Sequence, residues 1–352
     1  MGRVVFITQS YLSRSTIVGV TRDWVRALAN RSDGVDVIAL DGEPERDDAR
    51  VRVHSLGKSR GRGRVALLAT FYAALARALP AASAVFVHMV PRYVLLAAPL
   101  ALAARRPMTL WYAQGGVSQA LGASVRLLRH IVTPTRDSFP LAGAAVEARL
   151  RVTGHGVDVT RYAPSDGIDA ERGRVLAAGR LSASKRYEVL VDALSQVRSA
   201  PWRLRIASGG GYAASEDYAR AFLARIELLG ISERVSLLGE VSYEALPVEY
   251  RAAWLLGHTS ATGSLDKVVL EAMACGTPVV STAPSSRALL APIDEALAPT
   301  DAAPARLAAS LSDVLAWNEP RRAEAGRALR AVVERSHSLT RWADQVAALL
   351  AS

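Results

Sequence analysis

One stretch constrains the fold more than any other: Leu255–Thr282, LLGHTSATGSLDKVVLEAMACGTPVVST. The run Leu255 to His258 predicts a buried strand, Thr259 to Leu265 a polar loop, Lys267 to Cys275 a short helix, and Val279 and Val280 a second buried strand. Asp266 is placed to cap the helix, Gly276 follows its last turn, and Pro278 prevents it from continuing. That helix is apolar nearly all round, with Val268, Val269, Leu270, Ala272, Met273, Ala274 and Cys275, so it must lie inside a larger body. A single carboxylate, Glu271, sits in its middle. Taking an ionised carboxylate out of water costs several kcal/mol unless it is paired or hydrogen-bonded. Glu271 therefore needs a partner, either an arginine in a purely structural arrangement or a bound ligand in a functional one.

The surrounding chain repeats the same grammar. At 352 residues it exceeds one ordinary core, and two α/β domains of roughly 150 to 180 residues follow as the expectation. Strand and helix signals alternate, the pattern of doubly wound parallel sheets. In the first half, strands are expected at Val4–Ile7, Val35–Ala39, Val85–His88, Met108–Tyr112 and Ile131–Thr133, with helices at Thr21–Ala29, Arg64–Leu79, Tyr93–Ala104 and Val117–Leu128. After Leu150 a Gly-, Asp- and Pro-rich stretch, RVTGHGVDVTRYAPSDGIDAERG, reads as the linker. A second series of strands is expected at Arg174–Ala178, Arg203–Ala207, Val235–Leu238, Trp254–His258 and Val279–Ser281. Two last helices, Glu319–Glu334 and Leu339–Leu350, have no strand between them.

Charge is distributed unevenly. Residues 51–150 hold thirteen Lys/Arg against only Asp137 and Glu147, a surplus that alone exceeds the +10 of the whole chain. An arginine-rich coding bias explains why arginine is chosen, but not why acids are missing. A basic first domain points to anionic lipid head groups or another polyanion. Nucleic acid is disfavoured, because KSRGRGR at Lys58–Arg64 has no interleaved aromatics and no nucleic-acid module is visible. Lysine is scarce: of Lys58, Lys185 and Lys267, the last two fall in loops that introduce helices, where a compact point charge is useful. The longest apolar runs, near Val65–Leu79 and Tyr93–Ala104, are broken by Arg77 or Pro99 and fall short of a membrane span of about 20 residues. The start of the chain lacks the pattern of a signal peptide, and a single cysteine, Cys275, rules out an internal disulfide. The expected location is cytoplasmic, at the inner face of a membrane.

Three further stretches can carry chemistry. Val175–Tyr187, VLAAGRLSASKRY, predicts a strand, a turn at Gly179, and a loop with Arg180 and Lys185 at its ends leading into a helix. Free N–H groups at a helix N-terminus together with two cations suit a diphosphate; an ordinary loop with exposed cations is the plainer alternative. Ala207–Tyr212, ASGGGY, places Gly209 and its neighbours at a strand end where a ligand or another backbone can approach. Leu237–Val241, LLGEV, is a strand ending in Gly239 before a helix near Tyr243.

In this order the motifs resemble the retaining GT-B glycosyltransferases of family 4 (glycosyl transferases group 1). The resemblance runs from HGVDVTRYAP (His155–Pro164) through GRLSASK, SGGG and LLGEV to SLDKVVLEAMACGTPVVS, and closes with HSLTRWADQVAALL. FVHMVPRYVLLAAPL and LWYAQ fit the middle of such a protein's acceptor domain. The resemblance implies a basic, acceptor-binding Rossmann-like domain (residues 1–160), a nucleotide-sugar-binding one facing it (161–335), and a C-terminal helix (336–352) crossing back to the first. It implies that Arg180 and Lys185 neutralise the donor diphosphate as it leaves, that Glu271 accepts the ribose hydroxyls, and that the backbone at Glu240 and Val241 faces the base. Lys267 and the loop of Gly263, Ser264 and Leu265 would face the diphosphate and sugar, and Gly19, in the loop after the first strand, would let the first domain's backbone approach the diphosphate and acceptor.

Two departures from the family pattern stand out. A second glutamate, eight positions before the one matching Glu271, is replaced by Gly263, so that Asp266 or the backbone N–H groups of Gly263–Leu265 would take over its contact with the sugar. Where members carry a histidine near the transferred sugar, the candidate here is Gln114, which can donate a hydrogen bond but cannot act as a base. His88 and His155 read as structural. No DxD motif occurs, so no essential metal and no cofactor is expected; the donor is a nucleotide sugar. The acceptor expected is a lipid-linked or membrane-proximal glycan. A catalytically degenerate GT-B subunit and a nucleotide-sugar epimerase are the rival readings.

Overall fold

The computed structural model describes residues 1–12, 19–165, 167–208 and 216–352. These divide into two compact units: one holds the described chain up to Gly156 together with His337–Ser352, the other holds Val157–Ser336.

In the first unit strand and helix alternate: β1 (Arg3–Tyr11), α1 (Gly19–Ala29), β2 (Val35–Gly42), β3 (Val51–Ser55), α2 (Arg64–Ala78), β4 (Ala82–His88), α3 (Pro91–Ala103), β5 (Met108–Trp111), α4 (Gln119–Val125), β6 (His130–Thr133), α5 (Ala144–Glu147) and β7 (Leu150–Val152). The strands form a parallel sheet in the order β3-β2-β1-β4-β5-β6-β7. Alternate residues of β1 feed opposite cores, as a pleated strand requires: Val5 and Ile7 pack with α2, α3 and α4, while Val4 and Phe6 pack with α1. Both faces are covered, which is why β1 opens on a continuous apolar run, Val4–Ile7, and that of β2, Val35–Leu40, is interrupted only by Asp36, which pairs with Arg3. Two strands, β3 and β7, were not expected from the sequence. Both are edge strands, one alternating Val51 and Val53 with Arg52 and His54 and the other only three residues long, and edges carry little of the apolar signal.

The second unit runs β8 (Glu171–Ala178), α6 (Tyr187–Gln196), β9 (Arg203–Ala207), α7 (Glu216–Leu228), β10 (Val235–Gly239), α8 (Leu246–Ala252), β11 (Ala253–His258), α9 (Lys267–Ala274), β12 (Val279–Ser281), α10 (Pro284–Leu290), α11 (Pro304–Ala316) and α12 (Glu319–Ser336). Its parallel sheet has the order β10-β9-β8-β11-β12. Chain direction across this sheet reverses between β8 and β11, so the loops after these two strands leave its carboxyl edge side by side. Such a switch point is where open α/β sheets bind ligands.

The last helix, α13 (Leu339–Ala351), belongs to the first unit. It buries Trp342, Ala343, Val346 and Leu350 at helical spacing. Trp342 stacks on Trp24 of α1 with ring centroids 4.4 Å apart, and Trp24 Nε1 donates to the Gly156 carbonyl at 2.8 Å.

Candidate functional site

The loop after β8 turns at Gly179, which has φ +132°; the Tyr187 hydroxyl donates to its carbonyl at 3.0 Å. A short 3-10 turn, Ala183–Lys185, then leads into α6. The neighbouring loop after β11 is sewn to it through backbone: the Thr259 hydroxyl lies 2.9 Å from the carbonyls of both Lys185 and Arg186, and the Ala261 N–H donates to the Ser184 carbonyl. These contacts bring together the GRLSASK and SLDK motifs. Lys185 Nζ reaches Asp266 Oδ2 at 2.6 Å, and His258 Nε2 approaches the same oxygen at 2.8 Å. His258 Nδ1 lies 2.8 Å from the Ser281 hydroxyl, so a chain Lys185–Asp266–His258–Ser281, half-buried at its first two members and buried at the last two, ties the loops after β8 and β11 to β12. Burial opposes ionisation of Asp266, but the His258 hydrogen bond and the Lys185 ammonium outweigh it and hold the carboxyl well below the usual range.

This differs from the helix cap expected of Asp266. The residue occupies the N-cap position of α9, yet its carboxylate makes no capping hydrogen bond, because the Lys185 ammonium offers more than a backbone N–H. The N-terminus of α6 also differs from the open anion site considered above. The Tyr218 hydroxyl of α7 accepts the Tyr187 N–H at 2.9 Å and donates to Glu188 at 2.6 Å, so that this N–H is already taken.

Glu271 is 1% exposed. Its structural partner is not an arginine: Lys267, one turn earlier on α9, brings Nζ to 3.0 Å from Oε1, and Tyr250 donates to Oε2 at 3.0 Å. The lysine contact is an ion pair without hydrogen-bond alignment, which leaves Oε1 able to accept and Nζ able to donate elsewhere. Lys267 Nζ also stands 5.2 Å from the ring centre of Tyr243. Burial, with the nearby Glu271 charge adding to it, pushes the hydroxyls of Tyr162 and Tyr250 well above their usual pKa and keeps both protonated.

The other expected site residues are placed as follows. Arg180 is half-buried in the loop of Gly179 and Lys185. Gly263 takes φ +74°, a left-handed conformation that glycine adopts freely and a glutamate would adopt only with strain. Ser264 is buried and its carbonyl accepts the Ser285 hydroxyl, while the Leu265 side chain belongs to the core of the second unit. Glu240 is exposed and Val241 half-buried just beyond β10, the edge strand on the far side of β9 from β8. Gly209 lies outside the described residues. Gly19 is the first residue of α1 and buried, rather than a loop residue; Gln114 is exposed in the loop after β5. The last two belong to the first unit, apart from the cluster of Lys185, Asp266, Lys267 and Glu271 in the second.

Sequence reasoning missed His258 and the tyrosines Tyr162, Tyr243 and Tyr250. His258 had a signal, being the last residue of a buried strand that opens the loop; the tyrosines looked like ordinary core. In the first unit His88 lies against Trp24 and Trp111, with Thr8 Oγ1 at 3.1 Å. Burial and the nearby His155 push it down to about 3, so it stays neutral. Among the described residues no group of three His, Cys, Asp or Glu side chains is arranged to hold a metal ion.

Known proteins resemble this chain in part of its sequence and in its fold. A D-inositol 3-phosphate glycosyltransferase of Mycobacterium sp. (strain KMS) is 35% identical over 147 residues, which are 39% of this chain and 32% of the relative. The enzyme of that name from Kineococcus radiotolerans is 32% identical over 182 residues, covering 48% of this chain and 42% of the relative. The matched part thus spans less than half the length of these curated relatives. Among solved structures, Anabaena HepE in complex with UDP and glucose aligns over 99% of both chains with a TM-score of 0.78 at 20% identity. WaaG, a glycosyltransferase involved in lipopolysaccharide biosynthesis, aligns over 99% of both with a TM-score of 0.67 at 16% identity. Residues 172–316 match the family described as Glycosyl transferases group 1, and the chain that carries this domain has the two-unit α/β architecture of the GT-B fold.

Proposed function

We propose that the protein is a retaining glycosyltransferase of family 4 that moves a sugar from a nucleoside diphosphate donor to an acceptor held by its basic first unit. The observation that carries this reading is the convergence, at the switch point of the second sheet, of Lys185 with Lys267 and a buried Glu271 whose Oε1 is free to accept. Glu271 accepts the ribose hydroxyls, and Lys185, Lys267 and Arg180 face the diphosphate. As the bond from the anomeric carbon to the phosphate oxygen breaks, negative charge builds on the diphosphate, where cations already in place favour it. The acceptor oxygen bonds to the anomeric carbon on the same face, and its proton passes to the departing phosphate oxygen. Gln114 donates a hydrogen bond to the sugar. The absence of a DxD motif and this supply of cations support transfer without a metal, so activity should survive EDTA.

The acceptor proposed is a lipid-linked or membrane-proximal glycan, met by a peripheral protein at the inner face of a membrane; the excess of cations over acids in residues 51–150 of the first unit supports this. Gly263 favours one second reading, a subunit that binds nucleotide and transfers nothing. Incubation with UDP-, GDP- and ADP-sugars, with and without membrane extract, separates them: transferred sugar supports the enzyme, nucleotide binding alone the subunit, and altered free sugar an epimerase. Lys185→Ala and Glu271→Ala should each lose nucleotide binding by about tenfold or more while still folded, each removing a charged contact worth roughly 1.5 to 3 kcal/mol. Unchanged affinity in both rejects the pocket.

A further inference from the structure

A surface helix of a globular protein shows water a polar face, and α2 does not. Of its 15 residues, RVALLATFYAALARA, only Phe71, Ala74, Leu75 and Ala78 are buried, all in its second half. The first two turns stand clear of the core with Val65 83% and Leu68 42% exposed, and Ala66 and Ala69 exposed beside them. Directly before them the turn Gly57–Gly63 presents Lys58, Arg60, Arg62 and, at the helix start, Arg64, all exposed. Left-handed Gly57 (φ +77°) and Gly61 (φ +73°) curl this turn, and the Asp41 carboxylate pins it by accepting the Ser59 N–H at 2.8 Å. Apart from that buried carboxylate, which the turn itself engages, the neighbouring sequence carries no acid: no Asp or Glu occurs between Asp48 and Asp137. Val117, 66% exposed, sits in the loop after β5, which leaves the same carboxyl edge of the sheet as the turn after β3.

We infer that Gly57–Ala69 is a membrane-docking element that seats on an anionic phospholipid surface, its cations on the head groups and Val65 and Leu68 entering the acyl boundary. Cations next to exposed aliphatic side chains, with no aromatic among them to stack on bases, suit a bilayer better than a nucleic acid. Together with the turn that follows, Arg64–Ala81 is long and apolar enough to cross a membrane by length and composition. Phe71, Ala74, Leu75 and Ala78 are nevertheless committed to the sheet, so the helix lies on the bilayer rather than through it. Docked this way, the carboxyl edge of the first sheet faces the lipid. The surface is read independently of the donor site, so its failure leaves the sugar-transfer reading standing.

Flotation of the full chain with phosphatidylcholine vesicles, with and without about 30 mol% phosphatidylglycerol, tests this. The expected result is binding to the anionic vesicles alone, weakening as salt rises from about 0.1 to 0.5 M. The pair Val65→Ser and Leu68→Ser should weaken it about tenfold at unchanged charge, because the apolar contribution is lost. Arg60→Glu with Arg64→Glu should weaken it by more, since each cation contributes about fivefold. All four side chains are exposed, so both variants should melt like the parent. Equal binding to neutral vesicles overturns the inference, as does unchanged binding by both variants. So does preference for a single-stranded oligonucleotide that depends on Arg60 and Arg64 but not on Val65 and Leu68.

Discussion

Lys185 meets its counter-ion across 81 positions of sequence, and nothing local fixes where its ammonium points. Asp266 does so, itself held by His258 and largely buried. Removing one partner of such a pair leaves an uncompensated charge in a poor solvent. Asp266→Asn should therefore cost the second unit about 3 kcal/mol, read as a shift of its urea midpoint; a loss under about 0.5 kcal/mol would mean that Lys185 reaches water unaided. Gly263 sets a different test. Introducing, as Gly263→Glu, the carboxylate that the resemblance leads one to expect there puts a side chain on a left-handed residue, at a strain of roughly 1 to 2 kcal/mol, and should lower rather than raise turnover. An increase would show that the loop rearranges when the donor binds. At this scale the sequence was informative about residue type and blind to partnership. It marked Glu271 as buried and in need of company, but pointed to an arginine or a ligand where Lys267 and Tyr250 already stand. It assigned Asp266 to its own helix because a capping pattern is local, whereas the pair with Lys185 exists only once β8 and β11 lie side by side.

Elements with two covered faces announced themselves. The strand Val279–Ser281, buried throughout, has the bounds its apolar run predicted, and α9 stops one residue short of its expected end. The edges of the first sheet did not: β3 alternates Val51 and Val53 with Arg52 and His54 and β7 is three residues long, so neither carries an apolar run to read, whereas β12, also an edge strand, is buried over its whole length. Close packing between elements is likewise silent until the fold is known. Gly326 on α12 looks like a flaw in a helix, yet a Cβ there would sit 2.2 Å from the Gly276 carbonyl oxygen at the end of α9. Gly326→Ala, which ordinary helix propensity would favour, should instead destabilise by about 1 to 3 kcal/mol because α12 must move off α9. A rise in melting temperature would contradict that packing.

Across the whole molecule, buried histidines tie stability to pH. His337, at the head of α13, is 4% exposed, and burial pushes it down to about 4. Its folded value lies below its unfolded one, near 6.5. The unfolded chain thus takes up a proton first as pH falls, and stability is lost as pH drops through about 6.5 toward 4. Between pH 7 and 5 this one group should cost about 2 kcal/mol, and His337→Gln should flatten that part of a urea-midpoint profile. An equal slope in the variant would assign the effect elsewhere, His88 being the next candidate. The Trp24–Trp342 stack reaches further still, into the order of events during synthesis. Among the described residues the second unit is one segment, Val157–Ser336, and it can close as soon as Ser336 has left the ribosome. The first unit begins earlier but must wait, with Trp24 and Phe86 uncovered, until Trp342 arrives after the whole of the second. The half that is made first is therefore the half that is finished last, and it is the one a chaperone would have to shelter.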